Sequence, residues 1–287
     1  MIQEFFDQFS SAEWAPEALN AKVELAERAR TREQLAPLFH VGDVTPTAPE
    51  NFIDDAEFER LVGDFSRIRM GQTDLQFDTS QLSGKEASAY QQAAMNDIAS
   101  ILQTEGGREL IRGLAYDDQD QTTTLKPMFR NGDPAQGRDL TNAKVWAGGR
   151  SMNEGELRRD GTPGAGVSAE VLINPGHVMG PRSVTPTDDW MPIRPDVTLY
   201  HELMHAWDLV HGTMALGAAD ASDGMHPDDA GIQRHEYVAA GLGKYTTNER
   251  SENAYRAARA AIAEGGVGVR PGDRRMEDRD TYVNHWE

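Results

Sequence analysis

The chain has 287 residues, long enough to bury a substantial core in one large domain or two modest ones. Lys+Arg number 28 against Asp+Glu 47, a net charge of -19 that repels nucleic acid and anionic membrane and eases the approach of a basic or amphipathic partner. With Cys at 0, disulfides, thiolate metal sites and cysteine nucleophiles are all excluded, so any metal must rest on His, Asp and Glu.

In chain order, Met1 to Phe9 lacks the basic start and apolar run of a Sec signal, and no later stretch approaches the roughly 20 apolar residues of a membrane span. Glu13 to Leu38 reads as an amphipathic helix, with Leu19, Val23, Leu25 and Ala26 among charged residues and a stop at Pro37. Val41 to Asn51 is rich in Pro and Thr without periodicity and reads as a linker. It divides the chain into a helical leader over residues 1–50 and a single larger domain over 51–287. Asp54 to Met70 and Lys85 to Gln103 carry helical spacing, with Phe58, Leu61, Val62 and Phe65 on one stripe and Tyr90, Ala94, Ile98 and Leu102 on another. Asp117 to Asp120 lacks the Gly and distal Glu of a calcium loop and reads as a solvated turn.

Gly164-Ala165-Gly166-Val167-Ser168-Ala169 matches a dinucleotide-binding spacing, but its glycines precede a strand instead of following one. They read as a turn into a strand over Val167 to Asn174. Pro175 to Pro195 is a proline-rich loop in which a groove could be built. From Asp196 helical periodicity returns, with Asp196 or Thr198 as the N-cap and Gly212 as the stop. Asp220, Asp223, His226, Asp228 and Asp229 read as a flexible, solvated acidic loop.

His201-Glu202-Leu203-Met204-His205 lies in the middle of the predicted helix. Residues four apart share a helix face, so both imidazoles can reach one ion at about 2.0 to 2.1 Å with tetrahedral angles. Glu202, one step around, places its carboxylate beside the ion, where it can carry a proton from water to a leaving amine. Zinc in such a site acidifies water and polarises a carbonyl.

A third ligand must come from elsewhere. His211 does not suit: Asp208 stands where a short extended motif needs Gly, and an unbroken helix would carry His211 about 15 Å from His201. Asp208 itself reads as a partner of His205. Glu236 is the better candidate, a single carboxylate among Tyr237, Val238, Ala240 and Gly241 that needs a cationic partner if buried. His235 is its rival, pointing about 100° away if the segment is helical.

These residues resemble the NleD-like zinc metallopeptidase effectors and, more distantly, the light chains of clostridial neurotoxins. The likeness spans Gly161 to Arg256: Gly164 to Pro175 is similar to that family's strand, Tyr200 to Ala206 to its zinc signature, Glu236 with Gly241-Leu242 to its Glu-ligand segment, and Glu252-Asn253-Ala254-Tyr255-Arg256 to the segment that follows. The resemblance implies His201, His205 and Glu236 on Zn2+ with Glu202 as the base. The neurotoxin likeness further implies Arg279 and Tyr282, from Arg279-Asp280-Thr281-Tyr282, as catalytic groups donating to the oxyanion.

The expected fold is therefore α+β and zincin-like: a small twisted sheet, with the Val167 to Asn174 strand at a substrate-receiving edge, packed on the zinc helix and a following Glu-bearing helix. The expected activity is zinc endopeptidase cleavage of a protein or peptide, with no nucleic acid or membrane partner. The resemblance implies a secreted bacterial effector or toxin that passes through a specialised secretion system and acts on a signalling protein in the target-cell cytoplasm. Two alternatives stand beside it: a housekeeping bacterial zinc peptidase, and a non-catalytic partner-binding module on the same fold.

Overall fold

A computed structural model describes residues 16–42, 44–45, 48–116, 120–140, 143–148, 152–176 and 194–265. The first helix, α1 (Pro16–Leu35), runs into a 3-10 turn at Ala36–Leu38. Its expected apolar face is not buried: Val23 is 54% and Leu25 69% exposed. Charged residues surround this helix, and polar contacts set its buried side. Glu27 pairs with Arg69 at 2.6 Å, Ser66 Oγ donates to Thr31 Oγ1 at 3.0 Å, and Leu35 and Phe39 enter the core. The segment read as a linker begins in β1 (His40–Val41) and leads directly into β2 (Phe52–Ile53), the two strands lying parallel.

Both predicted stripes become buried helix faces. In α2 (Asp55–Arg69), Asp54 caps the N-terminus by accepting from Glu57 N at 2.7 Å, and Phe58, Leu61, Val62 and Phe65 are buried. After β3 (Leu75–Phe77), Ser83 and Glu86 form a reciprocal capping box at the start of α3 (Gly84–Ile101), which buries Tyr90, Ala94 and Ile98. Next comes α4 (Glu105–Ala115), capped by Thr104. Among the described residues no helix is long and apolar enough to cross a membrane.

The sheet adds β4 (Thr123–Lys126), β5 (Lys144–Ala147) and β6 (Ala169–Leu172) in the order β3-β4-β6-β5. β4 runs parallel to both β3 and β6, whereas β5 runs antiparallel to β6. The strand expected over Val167 to Asn174 is thus present as β6 but is interior. The edge positions belong to β3 and to β5, whose Trp146 is half exposed. Strand neighbours come from distant parts of the chain, and the residues of β6 alone carry no record of them.

The central helix α5 (Pro195–Val210) packs on β5 and β6 and against α3 and α4. It begins earlier than expected, with Arg194 as N-cap and Pro195 in the first turn, where the missing N–H would have no partner anyway. Asp196 is buried instead in an ion pair with Arg194 at 3.0 Å and accepts from Tyr255 Oη at 2.7 Å. Gly212 ends the helix at φ 66, and Gly166 (φ 77) lies so close that a Cβ on it would stand 2.0 Å from the Val210 carbonyl oxygen. The glycine turn before β6 therefore laces onto the end of α5, with Gly164 N donating to Gly212 O and Val167 N to Leu209 O.

The acidic stretch after α5 is folded. Asp223 and Asp229 are buried, and Ala219, Ile232, Tyr237, Ala240 and Leu242 form a second apolar cluster. Asp223 binds Arg234 at 2.9 Å and Lys244 at 2.8 Å, so it ties the first residue of the short helix α6 (Arg234–Ala240) to the 3-10 turn that follows it. The final described helix is α7 (Glu252–Gly265), packed on α5 and α6.

Burial alone would raise the Asp223 carboxyl, but Lys244, Arg234, the Asp220 N–H and Tyr245 together hold it well below the usual carboxylate range. A depressed folded-state pKa stabilises above the unfolded value of about 3.9 and loses that contribution as pH falls toward the folded value. Asp223→Asn is therefore expected to cost about 2 kcal/mol at pH 7, between buried-pair and surface-pair values. The gap between the melting curves of the two proteins should narrow steadily below about pH 4. A gap that stays constant down to the acid transition would assign the loss to packing and not to charge.

Candidate metal centre

Three side chains from two elements converge. His201 and His205, one turn apart on α5, bring their Nε2 atoms to 3.1 Å from each other. Glu236 enters from α6, its Oε2 lying 3.0 Å from His201 Nε2 and 3.1 Å from His205 Nε2. In a tetrahedral site with bonds of about 2.0 to 2.1 Å, ligand atoms stand roughly 3.3 to 3.4 Å apart. The observed triangle is close to that, and its two nitrogens and one carboxylate oxygen are the donors that a borderline divalent ion prefers. Among the described residues this is the group of His, Asp and Glu side chains that could hold a metal ion.

One member of the site was quoted from the sequence without a role. Glu252, at the start of α7 and only 1% exposed, meets His201 Nδ1 at 3.0 Å through Oε2. Its other oxygen accepts from Arg256 Nε at 2.8 Å, one turn along α7. A carboxylate behind an imidazole fixes which ring nitrogen faces the ion and raises its basicity. The i,i+4 Glu-Arg pair was visible in the sequence, but nothing local said that it would face His201.

The field of this cluster favours cations. Burial would lower the His201 imidazole, yet the Glu236 and Glu252 carboxylates overcome that and push it up to about 10. Glu236 shows the counterpart: burial would raise it, but His205, His201 and His235 hold it well below the ordinary range. Glu202 behaves oppositely, raised by burial although His201 and His205 pull it down. Among the described residues its carboxylate has no hydrogen-bond partner, which leaves it available to a bound molecule. A metal at the triangle would displace the proton that the carboxylates draw to His201, because ligands bind deprotonated.

The rival ligands fall elsewhere. His211 caps α5 with its ring stacked on Trp207 at 4.0 Å. Asp208 is buried but accepts from Thr213 Oγ1 at 2.8 Å instead of meeting His205. His235 stands beside the cluster, its ring centroid 5.2 Å from that of His205 and its Nε2 3.5 Å from Glu236 Oε1. Arg279 and Tyr282 lie outside the described residues.

Comparison with known proteins agrees with this geometry. The Peptidase M91 family model, described as effector protein, matches residues 78–267, a span that begins just after β3 and includes β4, β5, β6 and every member of the cluster. No curated protein matches the chain.

Proposed function

From the premise that this chain belongs to the M91 family of NleD-like effector peptidases, we propose that it is a zinc-dependent endopeptidase in which Glu202 is the general base. The observation that carries the proposal is the triangle of His201 Nε2, His205 Nε2 and Glu236 Oε2, with Glu252 behind it. Zinc bound there would polarise the scissile carbonyl and acidify water.

The residues divide the remaining work. Glu202 takes a proton from the attacking water as its oxygen adds to the carbonyl carbon, and returns that proton to the departing amide nitrogen as the C–N bond breaks. Glu252 and Arg256 keep the His201 ring in the one orientation that leaves Nε2 free for the metal. The antiparallel edge strand β5, which packs against α5, supports reception of an extended peptide as an added strand. By family resemblance the substrate is a signalling protein of a target cell, reached by specialised secretion.

Metal content and cleavage, measured together on one preparation, test the reading. Stripping with a chelator should abolish cleavage, and about one equivalent of zinc should restore it. Full cleavage by a metal-free preparation would sink the proposal. A search for new N-termini in cells given the active chain would then identify the substrate, and cleavage confined to the producing cell's own proteins would favour a housekeeping peptidase.

A further inference from the structure

A cleft of about 380 Å³ opens where the N-terminal end of α4 meets α5 and α7, and it includes none of the metal-centre residues. That volume lies within the range of small-ligand sites. Four carboxylates line it: Glu50, Glu105, Glu109 and Glu249. Glu50 accepts from the Glu105 N–H at 2.6 Å. The side chains of Glu105, Glu109 and Glu249 have no ion pair or hydrogen bond among the described residues. Arg108 borders the Glu50 and Glu105 side, where it donates to the Glu50 carbonyl at 3.1 Å and also binds the Leu102 and Gln103 carbonyls, whereas Arg250 lies over the Trp207 ring.

An independent observation points to a ligand. Tyr200 is 1% exposed and its ring stacks on Tyr255 at 4.5 Å, yet its hydroxyl has no partner among the described residues. Gly106 shares the cleft wall, and a Cβ on it would stand 3.6 Å from that hydroxyl, so the phenol is aimed into the cleft. The ring is buried, while its oxygen meets the solvent of the cleft and is open to a donor that enters there. The Tyr255 hydroxyl, by contrast, is used by Asp196.

The spacing of the acids selects the ligand. Among the described residues, the acidic and histidine groups close enough to hold one ion, within 4.8 Å of one another, are His201, His205 and Glu236. No three of the cleft's carboxylates come that close to one another, which matches charge spread along a chain better than one bare metal ion. We propose that this cleft binds an extended organic polycation, its ammonium groups donating to the Tyr200 phenol oxygen and to the carboxylates of Glu105, Glu109 and Glu249. Such a cation has two sources, a free polyamine or the lysine side chains of a partner segment. The proposal does not depend on the peptidase mechanism.

Calorimetric titration of the full chain with spermidine, at fixed ionic strength and in both zinc-loaded and chelator-treated forms, tests it. A saturable 1:1 isotherm is expected, weakened at least tenfold by the double variant Glu109→Gln, Glu249→Gln and about 3- to 10-fold by Tyr200→Phe. Should Tyr200→Phe fail to fold, the double variant still decides, because both of its positions are exposed. A lysine-rich peptide of equal charge that binds more tightly than spermidine assigns the source to a protein, and the reverse order assigns it to free polyamine. Heats matched by magnesium at equal charge, or unchanged in the double variant, overturn the proposal.

Discussion

Replacing Glu202 by Gln is expected to lower kcat/KM for a cleavable peptide by about 10²- to 10⁴-fold, the usual contribution of a positioned base, while zinc content stays near one equivalent. The substitution preserves shape in a buried position and, since the Glu202 carboxylate has no partner among the described residues, it breaks no hydrogen bond there. In the proposed mechanism, what it removes is the capacity to take a proton from water and deliver it to the amide nitrogen. Chemistry should suffer more than substrate binding, so kcat should fall with KM little changed. A variant that cleaves as well as the parent would falsify the role of Glu202. One that cleaves nothing yet keeps its full effect on a target cell would show that the chain acts by binding a partner.

The second large effect concerns metal affinity. If Glu236 is the third ligand as proposed, Glu236→Gln exchanges an anionic ligand for a neutral one at the apex of the triangle and should weaken zinc by more than about 100-fold, beyond the 10- to 100-fold typical of residues that only orient a ligand. Glu252→Gln should fall in that lower range, because the amide can still touch His201 Nδ1 but no longer carries the charge that raises its basicity. His211→Ala should leave affinity unchanged, its ring being occupied with Trp207. The rise in melting temperature on adding zinc reads the same ranking without any activity assay. If His211→Ala or His235→Ala weakened zinc more than Glu236→Gln, the third ligand would be wrongly assigned.

Some of this was legible along the chain because the governing distances are local. Positions four apart on a helix must share a face, so His201 and His205 could be paired, and Glu202 set beside them, before any coordinates. The same reasoning found α2 and α3 from their stripes, and it read Gly164 to Gly166 as a turn and not a nucleotide loop. The acidic stretch misled because charge density resembles a solvated loop, whereas Asp223 is surrounded by Arg234, Lys244 and Tyr245 and holds α6 in place. In α1 the visible apolar residues were not those that pack, since Glu27 and Thr31 dictate which side meets α2.

The sequence by itself thus determined the chemistry at the centre of the site, two imidazoles and a carboxylate on one helix, because helical periodicity translates spacing directly into direction. Only the tertiary structure decided what surrounds them. It brought Glu236 from α6 to within 3.1 Å of both imidazoles, and it set Glu252 of α7 behind His201. It also placed β6 inside the sheet with β5 at the edge. Those arrangements join residues far apart in the chain, and they are selected by burial and charge pairing across the whole core, which no local pattern encodes.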